Sequence, residues 1–271
     1  IDSSCKKIKI EDHIGNLRII DLNENILMST KKNIDLKKKF KRLEDNPQIN
    51  KTNENQFIID NDLIITENTI LSKNNLFVLN HQKKINIINN STLFVEGKIY
   101  FKNNQDSPTI IFSEDGTGSI IFNENNFKFE NIIFDSLSSP KLNNYILYGG
   151  VNFINSEVNL NNIIVKNSKD EDGMNIINSK SKIYNIFFEN IVSDALDIDF
   201  GVSFFKNINC KKINNDCLDV SGAEIIGEKF VAINSNDKGI SVGENSKVNI
   251  DDINVKNNKI ALAIKDGSTA K

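Results

Sequence analysis

A chain of 271 residues, 39% of them hydrophobic, is long enough to bury a substantial core. The formal net charge of -3 provides no broad basic face, which argues against nucleic acid and anionic membranes as partners. The sequence contains no apolar run of about 18 residues, the length that a membrane span needs, so no membrane insertion is expected.

Residues 1–50 are predicted to form a separate N-terminal segment. Apolar residues recur at helical spacing within its lysine-rich stretch, at Ile34, Leu36, Phe40 and Leu43. This spacing predicts a short amphipathic helix that caps the first coil of the next domain. Pro47 and the polar run after it mark a boundary, so the main domain is predicted to cover residues 51–271.

From Phe57 onward, short apolar runs alternate with polar turn residues. The runs are rich in isoleucine, phenylalanine and valine, and no helical pattern separates them, which predicts β-strands. The chain has 45 asparagines, a residue that tolerates the left-handed backbone of tight turns. The predicted strands include residues 58–60, 63–66, 76–79, 85–88, 93–95, 110–112, 120–122 and 132–134.

Internal repetition decides between a solenoid and the sandwich or barrel that short strands would also fit. Similar tetrapeptides begin at residues 173, 195, 217, 239 and 261, in steps of 22, and another at residue 150 extends the series with a step of 23. A strand-and-turn period of this length is typical of a solenoid in which each repeat forms one coil. The predicted fold is all-β, a right-handed parallel β-helix with coils of about 22 residues.

Aligning the coils sorts their residues into columns, because successive strand residues face opposite sides and neighbouring strands lie about 4.8 Å apart. Two columns are apolar and are predicted to face the core: Met174, Leu196, Leu218, Ile240 and Leu262, and Ile176, Ile198, Val220, Val242 and Ile264. The column between them points outward and contains Asn175, Asp197, Asp219, Ser241 and Ala263.

Acidic residues concentrate on this outward face. The alignment places Asp194 beside Asp216 and Asp197 beside Asp219, with Asp199 next along the strand. Carboxylates this close destabilise a sheet unless they bind a cation, share protons or are screened by water. Two lysines follow in later coils, Lys238 in the Asp194 column and Lys265 in the Asp199 column, so acids and bases share one face.

Three interpretations of the acidic residues remain open. In a calcium site, Asp194, Asp197, Asp216 and Asp219 would supply oxygen ligands together with turn carbonyls. In a glycoside hydrolase, Asp197 and Asp219 would be the two catalytic acids, with Lys238 as a candidate base. In the third, exposed strand positions of a polar solenoid are simply acidic. A ligand-binding role is predicted for Asp194, Asp199, Asp216 and Lys265.

The cysteines also leave two alternatives. Cys210 and Cys217 are seven residues apart and form either a disulfide or two small buried thiols.

The acidic coils carry a family resemblance. The runs over residues 194–200, 215–222 and 236–244 resemble coils of the bacterial pectate-lyase-like β-helix superfamily. More narrowly, they are similar to β-helix regions found beside spore-coat-type kinase domains in cell-surface polysaccharide loci. The resemblance covers about residues 57–271 and implies the fold, whereas that superfamily includes lyases, hydrolases, epimerases, adhesins and inert scaffolds.

The catalytic residues of that superfamily are incomplete in this chain. Its lyases use an arginine base, yet no arginine follows Arg42, and its hydrolases add a histidine, yet His81 lies far upstream of the acidic coils and is predicted to be a turn residue.

The resemblance and the acidic face together predict an extracellular or cell-surface protein associated with polysaccharide, binding glycan or calcium. The alternative is a non-catalytic structural or adhesive module of a larger surface protein. A protein partner is expected at the C-terminal coil, because residues 261–264 form a complete strand with little chain left to cover it.

Overall fold

The computed structural model describes residues 40–142 and 146–271, together with three strand backbones within residues 7–30. Those three form an antiparallel sheet of Lys7–Glu11, Leu17–Asp21 and Leu27–Thr30. The predicted helix over residues 34–43 lies mostly outside the described residues.

The end of that predicted helix is described and is not α-helical. Lys41–Arg42 is a strand and Leu43–Asp45 is a 3-10 turn, in which Leu43 is buried in the core. Since Lys41–Arg42 pairs with the strand at Thr69–Leu71, the N-terminal segment joins the first coil. The division at residues 50 and 51 stays a prediction.

The rest of the described chain is a parallel β-solenoid of about nine coils with about 23 residues each, which confirms the predicted fold class. One face of the solenoid is a ten-stranded sheet. Its strands are Lys41–Arg42, Thr69–Leu71, Thr92–Val95, Ser119–Asn123, Val151–Ile154, Met174–Ile177, Leu196–Asp199, Leu218–Ser221, Lys238–Gly243 and Ile260–Ile264.

Two further sheets complete the coils. The eleven-stranded sheet contains Leu63–Ile65, Lys84–Ile87, Thr109–Phe112, Asn126–Asp135, Glu157–Lys166, Lys180–Ile183, Ile186–Ile191, Val202–Ile213, Glu224–Ser235, Lys247–Lys256 and Thr269–Ala270. The four-stranded sheet contains Asn50–Asn53, Gln56–Ile59, Leu76–Leu79 and Lys98–Phe101, its first two strands being antiparallel.

The strand register confirms the 22-residue step. Met174 pairs with Leu196, Leu196 with Leu218, Leu218 with Ile240 and Ile240 with Leu262. The step of 23 residues upstream is confirmed as well, since Val151 pairs with Met174. The predicted columns are therefore the columns of the structure.

The inward columns form the core, and their last members differ from the rest. Met174, Leu196, Leu218 and Ile240 are fully buried, whereas Leu262 is 38% exposed. The difference arises because the final strand of the ten-stranded sheet has a neighbour on one side only.

Asparagine occupies most of the left-handed turn positions. Eighteen described residues other than glycine have positive φ, and eleven of them are asparagine. Asparagines also stack between coils, as in the hydrogen bonds from Asn178 Nδ2 to Asn155 Oδ1 (2.7 Å) and from Asn190 Nδ2 to Asn167 Oδ1 (2.9 Å). These positions account for part of the asparagine content, and His81 lies in a turn as predicted.

A search of the described residues finds no helix with the length and apolarity needed to cross a membrane.

Candidate functional site

The candidate site is the outer face of the ten-stranded sheet over its acidic coils. The register places Asn175, Asp197, Asp219 and Ser241 side by side on successive strands. The strands are held in place by the buried residues that flank each outward position, so the outward side chains stack at the strand spacing of about 4.8 Å. The predicted neighbours Asp197 and Asp219 are thus brought together, and both are half-buried.

A second column begins at the end of the same strands. Asp199 pairs with Ser221, which pairs with Gly243. The chain of Lys265 lies over Gly243, because a Cβ on that glycine would be 2.9 Å from Lys265 Cε. Lys265 thus continues the Asp199 column as predicted, although two coils separate the two charges.

Asp172, Asp194 and Asp216 form a ladder in the turns that precede these strands. Oδ1 of Asp172 accepts the backbone N–H of Asp194 (3.1 Å), and Oδ1 of Asp194 accepts that of Asp216 (2.7 Å). Oδ1 of Asp216 accepts the N–H of Lys238 (2.9 Å). Each carboxyl group therefore ties its own coil to the next one, a structural role that coil alignment alone does not reveal.

Lys238 ends this ladder with an ion pair. Its Nζ lies 3.2 Å from Asp216 Oδ2 and also contacts Asp237 Oδ2. Desolvation lowers the pKa of the Lys238 ammonium, but hydrogen bonds to Asp237 and Asp216 outweigh it, so the pKa is raised. A protonated, paired ammonium fits a structural role better than the predicted role of a base.

The carboxyl groups of the site hold their protons to unusually high pH. Burial raises the pKa of Asp197 to about 9, helped by the charge of Asp199 and those of its other acidic neighbours. Burial likewise raises the pKa of Asp194 to about 7 and that of Asp199 to about 6. For Asp172, burial raises the pKa despite the hydrogen bond from the backbone of Asp194. Proton retention is thus one way in which the fold tolerates the cluster.

Two buried side chains at the ends of the Asp197–Asp219 pair have oxygens without a partner. Asn175 Nδ2 donates to Asp197 Oδ2 at 3.1 Å, whereas Asn175 Oδ1 has no hydrogen-bond partner. Ser241 Oγ, in the coil beyond Asp219, has none either. Asn175 and Ser241 are 1% and 0% exposed. Buried acceptors normally find a donor, so these oxygens distinguish the site from an ordinary polar strand face.

An insertion, which we call the strap, borders the site on its N-terminal side. It consists of residues 137–149, of which 143–145 are not described. Its ends are held by backbone hydrogen bonds from Lys169 to Leu137 and from Asp172 to Tyr148, each 3.1 Å long. Gly149 lies against the sheet, since a Cβ there would be 2.9 Å from Asn175 Cβ. The strap ends the open part of the acidic face at Asn175.

An exposed aromatic ring borders the other edge. Phe200 follows Asp199 directly, has a φ of 52° and is 60% exposed. Its ring lies over Gly222, where a Cβ would be 2.7 Å from Phe200 Cδ1. Sequence reasoning missed Phe200, although the glycine one coil later was a usable signal.

Cys210 and Cys217 form a disulfide with their Cα atoms 5.9 Å apart. This settles the two alternatives that their spacing leaves open. The bridge closes the turn that carries Asp216, so it lies directly behind the acidic face.

The predicted metal ligands are only partly free to bind an ion. Asp194 and Asp216 accept backbone hydrogen bonds, and Asp216 is also paired with Lys238. Across the described ranges, no group of three or more histidine, cysteine, aspartate or glutamate side chains is arranged to hold a metal ion.

No family model matches the chain, and no curated protein matches it by sequence. Among solved structures, it is similar to the crystal structure of a periplasmic alginate epimerase double mutant, with 13% identity over 84% of this chain and 72% of that one. The TM-score is 0.42, too low to transfer an activity, a substrate or a metal to this chain.

Proposed function

We propose that this protein is an extracytoplasmic β-solenoid that binds polysaccharide on the outer face of its ten-stranded sheet. The observation that carries the proposal is the open acidic strip formed by Asp197, Asp199 and Asp219 beside the exposed ring of Phe200. Carboxyl groups accept hydrogen bonds from sugar hydroxyls, and an exposed aromatic face stacks on the apolar face of a sugar ring. A strip that continues across coils also suits a polymer with a repeating unit.

Calorimetry against a panel of neutral, acidic and basic oligosaccharides tests the proposal. At least one class should bind wild type, and Asp197→Asn/Asp219→Asn should bind it about tenfold more weakly, or about 1.4 kcal/mol. Asp251→Asn/Asp252→Asn is the matched control, because it removes two exposed carboxyl groups from the eleven-stranded sheet. Silence across the panel, or equal loss in both double variants, would contradict the proposal.

Glycoside hydrolysis is a second candidate, favoured by the protonation of Asp197. A pKa of about 9 keeps this carboxyl protonated at neutral pH, as a general acid requires. Asp219 lies one strand away, and a spacing of about 4.8 Å is closer to the separation of about 5 to 5.5 Å in retaining enzymes than to that in inverting ones. New reducing ends that appear with wild type and disappear with either Asp197→Asn or Asp219→Asn would support catalysis.

Calcium binding remains a proposal as well. Asp197 and Asp219, between the unpaired oxygens of Asn175 and Ser241, are its best-placed ligands, because Asp194 and Asp216 are already engaged. Titration of calcium should release or absorb heat with wild type and not with Asp197→Asn/Asp219→Asn. A flat wild-type titration would eliminate the calcium proposal.

The disulfide supports the extracytoplasmic location, since such bridges persist mainly in oxidising compartments. The association with spore-coat-type kinases remains a prediction. If no glycan and no cation binds, a structural or adhesive module becomes the better proposal.

A further inference from the structure

We infer that the glycan on this face carries free amino groups, as in a partly N-deacetylated hexosamine polymer. The inference rests on the proposed function and names the class of sugar that it would take.

The charges of the face exclude a polyanion more readily than a polycation. Asp197, Asp199 and Asp219 are joined at the edges by the acidic ladder and by Glu244, whose charge acts on Asp199. Lys238, the lysine nearest to the ladder, is already paired with Asp216 and Asp237. No arginine occurs after Arg42 in the sequence, so the acidic coils offer no bidentate partner for the carboxylate of a uronic acid. A glycan with ammonium groups supplies the missing positive charge.

The unpaired oxygens point to a ligand that donates several hydrogen bonds from one atom. Asn175 uses its amide N–H on Asp197 and leaves Oδ1 without a donor, and Ser241 leaves Oγ without a partner beyond Asp219. An ammonium group has three donors and no acceptor. Entering beside Asp197 and Asp219, it would pair with both carboxyl groups and leave a donor for a neighbouring acceptor, which a hydroxyl group with its single donor does not do.

Phe200 adds a second kind of contact for the same ligand. Its ring is 60% exposed and follows Asp199 directly. A cation over an aromatic face is attracted by the ring, and the apolar face of a sugar packs against it. An amino sugar offers both features in one residue.

Binding of four probes of equal length tests the inference: glucosamine, N-acetylglucosamine and galacturonate oligomers, and an oligolysine with the charge of the glucosamine probe. The glucosamine oligomer should bind wild type at least tenfold more tightly than any of the other three. Asp197→Asn/Asp219→Asn should lose at least tenfold of that affinity, while Asp251→Asn/Asp252→Asn should keep it. Phe200→Ala should weaken glucosamine binding severalfold and leave oligolysine unchanged.

The outcomes separate this inference from the proposed function. Equal or tighter binding of the acetylated or galacturonate probe, with or without calcium, overturns the amino-sugar inference and keeps glycan binding. Equal binding of oligolysine also overturns it, because attraction would then be charge alone. If no oligosaccharide binds, both fail. Circular dichroism of each variant verifies that it is folded.

Discussion

At the scale of single residues, the acidic face costs the protein stability that depends on pH. The pKa of Asp197 is about 9 in the folded chain, against a model value of 3.8, mainly because the carboxyl group is buried and then because of the charge of Asp199. Between these two pH values the unfolded chain binds fewer protons than the folded one, so stability falls as pH rises. Asp194 and Asp199, at about 7 and 6, act with the same sign.

We therefore expect the melting temperature of wild type to fall by several degrees from pH 5 to pH 9. Asp197→Asn removes one of the raised carboxyl groups, so its melting temperature should fall less over the same range. Thermal unfolding at five pH values measures the effect, with exposed Asp251→Asn as the control. Parallel curves for Asp197→Asn and wild type would show that burial does not raise this pKa.

Gly149 is the residue that allows the strap to reach the sheet. An added Cβ would lie 2.8 Å from the backbone oxygen of Val151 and 2.9 Å from Asn175 Cβ, neither of which moves easily. Gly149→Ala should therefore destabilise the protein by about 1 to 3 kcal/mol. Gly243→Ala is the matched control, since its methyl group would meet only the flexible end of Lys265.

Chemical denaturation of the two glycine variants measures this difference. A Gly149→Ala variant as stable as Gly243→Ala would mean that the strap does not press on the outer face.

At the scale of elements, regular coils could be predicted and irregular ones could not. The strands from Met174 onward follow the predicted step because each turn has the same length. Between Ile120 and its partner Val151 the step is 31 residues, because the strap interrupts the coil. The alignment also brought Asp194 and Asp216 together, but it could not show that their side chains bind backbone N–H groups. That depends on the turn conformation, which spacing does not specify.

The disulfide is an element-scale stabiliser, since it joins the end of one strand to the start of the next across the turn. Cys210→Ala/Cys217→Ala should lower stability by about 2.5 kcal/mol, the chain-entropy value for a loop this short. The melting temperature measures the loss, and a reductant should lower that of wild type but not that of the double variant. Alkylation of both cysteines in the unreduced, denatured wild type would show that the bridge is absent.

At the scale of the whole molecule, the two ends of the solenoid differ. Leu43 is buried at the first coils, whereas Leu262 and Ile264 of the inward columns are 38% and 48% exposed in the last coil. Exposed apolar side chains beside an unpaired strand edge favour association with another chain. This agrees with the protein partner predicted for this coil, which remains a proposal.

We expect this 271-residue chain to self-associate through the last coil at high concentration. Leu262→Lys/Ile264→Lys should shift sedimentation profiles toward the monomer, because charged residues protect a strand edge. Ile64→Lys, an equally apolar but isolated exposed site at 53% exposure, should leave the profiles unchanged. A wild-type chain that stays monomeric at every concentration would contradict this expectation.

The equal 22-residue register from Met174 to Leu262 also makes the molecule extensible. Duplicating one such period in the gene would add a whole coil and lengthen the protein by about 4.8 Å, the distance between neighbouring strands. An insertion of any other length would turn the core columns toward water. The acidic strip could then be lengthened one unit at a time, and the length of ligand that it holds would be set by the number of copies.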